Sequence, residues 1–271
     1  PSTTKLIYRL IPKCLETSGS DDCVAGAIHR KFLAVDLGSN LGYYSLLLAS
    51  RGMRVVSFEA SPDTAWLQRS SIALNGFVPS SSDTAPGGGN NDRGSIMLVD
   101  RGVTDEPSTK RLMRRPDSPG MTSFSTVDKF HLRKGASGTA LDVDIRLVRA
   151  GDTLEELGIA PSTKDDKASE NDTILHLLKI DVEGFELKAL RGLDLERYKF
   201  RHILMEYFPD MLRAAGTDPP YEVLRYILSH GYKMYEMVTK GKKFLREIDI
   251  GGDDAKGLSD WAEMAEKRGG D

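Results

Sequence analysis

Cysteine is nearly missing from this chain: 271 residues hold two, Cys14 and Cys23. A disulfide framework is thereby excluded. The two thiols stand nine apart in a polar stretch, which leaves one bridge and two free thiols equally open. Histidine is scarce too. His29, His131, His176, His202 and His230 never fall at ligand spacing, so no metal site is expected. No apolar run reaches 18 residues, so no membrane insertion is expected within these residues. A stripe of Lys and Arg interleaved with aromatics is also lacking, and the net charge is −3. Nucleic acid is therefore not expected as a partner. There is no P-loop, no C-x-x-C and no Ser-His-Asp order. The first residue is Pro1 rather than Met, which reads as a trimmed N-terminus, and the compartment stays unassigned.

What remains is an ordinary globular composition, 39% hydrophobic and 28% charged. Phe32 to Val35 has strand length, Asp36 to Asn40 has turn chemistry, and Leu41 to Ser50 has helical length closed by Gly52. "MRVVSFEAS" reads as a second strand ending at Glu59. Ser61 and Pro62 open a helix, as N-cap and first helical residue, that runs to Leu74. Strand, helix, strand, helix at this spacing predicts a parallel sheet with helices on both faces. Further strands are expected at Ile96 to Val99, Ile174 to Ile180 and "RHILMEYF". Helices are expected at Glu186 to Arg191 and about Tyr221 to Ser229. "YKMYEMV" and "KKFLREI" read as a closing antiparallel pair. The expected class is α/β, a single Rossmann-like domain of about seven strands over residues 31–250. It follows an N-terminal arm, 1–30, and precedes a polar tail, 251–271. Low-complexity inserts at about 79–95 and 161–172 read as disordered surface loops.

In an open parallel sheet, ligands bind beyond the carboxyl ends of the strands, where strand order reverses. Asp36, Glu59, Asp100, Asp181 and Glu206 each end an apolar run, so all five should share one rim. "DLGSNLG" supplies the first turn. Gly38 lets backbone approach a ligand, but Asn40 and Tyr43 stand where a dinucleotide motif needs glycine, so the loop suits phosphate poorly. Glu59 is placed to accept hydrogen bonds from a ribose. An adenosine ligand without phosphates fits, and S-adenosylmethionine is the abundant cofactor of that description.

The stretches "VDLGSNLGYYSLLLASRGMRVVSFEASP", "GMTSF", "GDTLEEL" and "LLKIDVEGFELKALRG…ILMEY" resemble the FkbM-type family of S-adenosylmethionine-dependent methyltransferases, over about residues 31–210. D-x-G-x-N-x-G followed by K-I-D-V-E-G-x-E, in that order, is the specific element. The resemblance implies a seven-stranded methyltransferase sheet and O-methylation of a hydroxyl on a sugar or other small molecule. It implies cofactor contacts at Asp36, Gly38 and Glu59, with Asn40 in the same motif. Ala60 departs from the pattern, since the family usually has Pro there. For the adenine, Asp100 and Asp105 stay as alternatives.

"LLKIDVEGFE", residues 177–186, drives a buried strand into three carboxylates. The strand should lie beside the first one and deliver Asp181 to the cofactor loop. Asp181 and Glu183, two apart, should face one side if strand geometry continues, and they are the catalytic candidates for orienting or deprotonating the acceptor. Glu186 falls in a first helical turn, where a carboxylate complements the dipole, and is read as structural. Two other functions fit the fold class: an NAD-dependent oxidoreductase, which the missing G-x-G-x-x-G argues against, and a module that keeps the fold without catalysis.

Overall fold

The computed structural model describes residues 2–11, 32–79, 94–115, 118–123, 139–161, 173–237, 245–248 and 255–267. Cys14, Cys23 and nearly all of the two low-complexity inserts lie outside them. Five parallel strands form the central sheet: β1 (Phe32–Leu37), β2 (Arg54–Phe58), β3 (Ser95–Val99), β8 (Ile174–Ile180) and β9 (His202–Met205). Their order is β3-β2-β1-β8-β9. The order reverses between β1 and β8, paired from Phe32↔Ile174 to Leu37↔Ile180.

Both faces of this sheet are covered, which is why its strands read as apolar runs. On one face Leu33, Val35, Leu37, Leu178 and Ile180 join a core with α4 (Ala150–Glu156), α5 (Glu186–Leu193), α7 (Glu222–Ser229) and α8 (Ala255–Lys267). On the other, Phe32, Ala34 and Leu177 pack with α1 (Ser2–Leu10) and α2 (Tyr43–Ser50). Helix α3 (Pro62–Leu74) starts where expected, with Ser61 as N-cap and Pro62 at its first residue. The Ser61 hydroxyl makes no capping hydrogen bond there.

Two expectations meet a different outcome, and the turns and β segments expected over 104–150 assemble into a sheet of their own. The N-terminal segment is not wholly an arm, because Leu6, Ile7 and Ile11 are buried in the core and the His176 Nε2–H donates to the Leu10 carbonyl at 2.5 Å. The stretch between the third and fourth parallel strands builds its own four-stranded sheet, ordered β4 (Gly102–Val103), β7 (Thr139–Val148), β5 (Ser108–Arg115), β6 (Ser118–Ser123). The closing pair forms as β10 (Tyr235–Met237) and β11 (Leu245–Glu247), yet these three-residue strands pair only with each other. Among the described residues the central sheet therefore has five strands rather than seven. The tail is partly helical: α8 buries Leu258 and sets Trp261 against Tyr207. The remaining helix, α6 (Pro209–Ala214), follows β9. Among the described residues no helix is long and apolar enough to cross a membrane.

Candidate active site

The five acids stand at the carboxyl ends of the five parallel strands, and the structure then sorts them. Gly38 leaves β1 in the left-handed region, φ 76°. Its amide and that of Ser39 both donate to the Phe58 carbonyl at 3.0 Å, which ties the β1 loop to β2. Asn40, also left-handed at φ 52°, donates its amide to Glu59 Oε2 at 2.8 Å. Ser61 donates its amide to Glu59 Oε1 at 2.8 Å. Burial pushes the Glu59 carboxyl above the ordinary glutamate range despite these two bonds. One buried carboxylate thus fixes the loop before it and the helix start after it.

Behind the loop lies a polar network absent from the sequence reading. Ser45 donates to Asp36 Oδ2 at 2.6 Å and meets the Ser57 hydroxyl at 2.9 Å. Gln68 bonds both Ser57 and Ser39. Asp36 is fully buried in this network. Its carboxylate faces Ser45 and Lys179 rather than the open cleft.

At the end of β8, the Asp181 amide donates to the Leu37 carbonyl at 3.0 Å, seating Asp181 against the β1 loop. Strand geometry does not continue. Glu183 at φ 53° and Gly184 at φ 99° turn the chain sharply, so the alternation argument for Asp181 and Glu183 lapses, although both still line the cleft. Gly184 is required by close approach as well: a Cβ there would stand 2.3 Å from the Met211 carbonyl of α6.

A cleft open to solvent lies between these segments. Its walls are Gly38 and Asn40, then Phe58, Glu59 and Ala60, then Arg101 to Val103, and finally Asp181, Val182, Glu183 and Phe185. Gly38, Asn40, Glu59, Asp181 and Glu183 are thus brought together. Asp100 is not among them; it pairs with Arg69 at 2.5 Å on the surface. Asp105 is also outside the lining, accepting from the Thr104 hydroxyl at 3.2 Å. Glu206 stands beyond Asp181 on the next strand, its carboxyl pushed up by burial and then by the Asp181 charge.

Glu186 takes the structural place expected of it. It is buried in the first turn of α5, and its Oε1 accepts the Gly184 amide at 3.1 Å. Burial holds its carboxyl above the ordinary glutamate range. The folded protein therefore binds this proton more tightly than the unfolded chain does. The resulting stability is full below the ordinary value of about 4.3 and is lost as pH rises through the raised one. As pH rises from about 4.3 through the raised value, native protein should lose melting temperature relative to Glu186→Gln. Parallel melting curves would refute this assignment.

The sequence reading passed over Lys179, a charged residue inside an apolar strand. That anomaly in "ILHLLKI" was the available signal. Its ammonium lies 3.5 Å from Asp36 Oδ1 and 3.3 Å from Asp181 Oδ2. Burial alone would push Lys179 down, but the two carboxylates outweigh it and hold the ammonium above the ordinary lysine range. Arg101 and Val103 were also missed, since nothing in the sequence shows that the segment after β3 lines the cleft, and so was Phe185, an apolar residue just before α5.

A parallel α/β sheet with a carboxylate-lined cleft at its switch point defines a class of ligand-binding enzyme fold, and comparison with known proteins narrows it. Residues 36–234 match the methyltransferase FkbM domain, and the chain belongs to that family. It is 27% identical over 205 residues to "Methyltransferase sdnD" of Sordaria araneosa, covering 70% of each chain. No solved structure matches it.

Proposed function

We propose that the protein is an S-adenosylmethionine-dependent methyltransferase acting on a hydroxyl of a small-molecule or glycan acceptor. The observation that carries this reading is Glu59: a buried carboxylate at the end of β2, beside a β1 loop that lacks a glycine cradle for phosphate. The cleft suits the cofactor on two counts. Gly38, where a Cβ would stand 1.9 Å from the Asp181 carbonyl oxygen, lets the two walls of the cleft close on each other. Each Glu59 oxygen accepts one backbone amide and keeps a lone pair for a ribose hydroxyl. On this reading Gly38 and Asn40 shape the loop under the cofactor, and Asp36 supports that loop from behind. Ala60 and Val103, which line the cleft, would hold the adenine, whereas Asp100 and Asp105 lie outside the lining.

When bound, S-adenosylmethionine supplies an electrophilic methyl group. Methyl transfer needs alignment within van der Waals reach and removal of the acceptor's proton. Asp181 accepts a hydrogen bond from the acceptor hydroxyl and takes its proton, and Glu183 helps to orient that hydroxyl. Calorimetry with S-adenosylmethionine, S-adenosylhomocysteine and NAD tests the cofactor. Labelled methyl transfer into a fractionated cell extract then tests the reaction. Binding of NAD alone would reject the reading.

Glu59→Ala removes the ribose acceptor together with the bonds to Asn40 and Ser61. Affinity for S-adenosylhomocysteine should fall by about 1.5–3 kcal/mol, the range for hydrogen bonds to charged groups. Unchanged affinity in a folded variant would place the ribose elsewhere.

A further inference from the structure

Lys179 is the only lysine, arginine or carboxylate on β8, and its side chain is 6% exposed. Burying an ammonium costs several kcal/mol per ion, even with partners nearby, whereas a leucine would fill that space without the cost. Its neighbours come from separate segments. Asp36 lies on β1, the Gly38 carbonyl accepts from Nζ at 3.2 Å in the β1 loop, and Asp181 accepts at 3.3 Å in the β8 turn. The Tyr44 ring of α2 has its centroid 5.3 Å from the ammonium. A lysine kept only to neutralise Asp36 would need neither the Gly38 carbonyl nor Asp181. These two contacts span the point where strand order reverses, and each holds one wall of the cleft.

We propose that Lys179 is a positioning residue that clamps the β1 loop to the β8 turn, holding Gly38 and Asp181 in fixed register around the cofactor. This rests on the reading of the cleft as an S-adenosylmethionine site. The two backbone walls already touch through the Asp181 amide and the Leu37 carbonyl. Lys179 adds the side-chain link, and among the described residues it joins the Asp181 carboxylate to the Gly38 carbonyl.

The test is a set of calorimetric titrations with S-adenosylhomocysteine, alongside melting temperatures, for native protein, Asp36→Asn, and Asp36→Asn with Lys179→Met. The double variant removes both buried charges, so no unpaired Asp36 is left to unfold it. If Lys179 clamps the walls, the double variant binds on the order of tenfold or more weakly than Asp36→Asn. Equal affinity in those two variants would reduce Lys179 to a counter-ion and overturn the proposal. Lys179→Arg keeps the charge beside Asp36 and changes only the reach and shape of the donor. It should lose affinity as well, and native affinity in it would equally overturn the clamp. Failure of the native protein itself to bind S-adenosylhomocysteine would reject the cofactor reading, and the clamp with it.

Discussion

Asp181→Asn should fold, bind S-adenosylmethionine within a few-fold of the native protein, and lose on the order of 10²-fold or more in single-turnover rate, the scale of general-base assistance. Asparagine keeps the size and one acceptor oxygen, so the Lys179 contact retains a partner. The Asp181 backbone contact to Leu37 is untouched by the substitution. What is lost is the ability to take a proton from the acceptor. Three measurements on this one variant separate its roles. A fall in melting temperature with normal turnover per folded molecule would make Asp181 a turn residue. A collapse of cofactor affinity would make it a cofactor ligand. A near-normal single-turnover rate would remove it from the chemistry and leave Glu183 or Glu206 as the next candidate.

Gly38→Ala should be more damaging still, because it strikes backbone rather than a side chain. A Cβ there would stand 1.9 Å from the Asp181 carbonyl oxygen and 3.2 Å from Val182 Cγ1. No rotamer relieves a clash between a Cβ and a carbonyl, so either the β1 loop or the β8 turn must move. The left-handed backbone adds about 1–2 kcal/mol for any residue with a Cβ. With the packing strain, about 2–5 kcal/mol of stability should be lost. At roughly 2–4 °C per kcal/mol for a domain of this size, the drop is visible in a melting curve. Binding of S-adenosylhomocysteine should fall below detection in whatever protein remains folded. Native affinity in a folded Gly38→Ala would show that the ligand does not lie against this loop.

Much of this site was legible in the sequence because burial and topology act together. An apolar run that stops at an acid marks the end of a buried parallel strand, and Asp36, Glu59, Asp100, Asp181 and Glu206 all obey that rule. The rule gives position along a strand and says nothing of where a side chain points. Asp36 turned inward to Ser45, and Asp100 turned outward to Arg69. The prediction for Asp181 and Glu183 relied on a period of two, which holds only while a strand lasts, and β8 ends at Ile180. Lys179 was hidden by averaging, since one charge in a run of seven hardly alters its apolar character. The first helix was hidden by its length. Nine residues carry too little periodicity to stand out, although Leu6, Ile7, Leu10 and Ile11 do form one face.

That short helix bears on where the folding unit begins. The family match starts at residue 36, and a gene fragment trimmed to it would discard α1 and most of the opening strand. Trimming at residue 32 would spare the strand, yet Phe32, Ala34 and Leu177 would lose the cover of Ile7 and Ile11. His176 would lose its carbonyl partner at Leu10. An apolar sheet face opened in this way is a surface for self-association. Homology thus outlines the family domain, whereas a stable recombinant protein must reach back across the twenty residues between Ile11 and Phe32 to keep its own lid on the sheet.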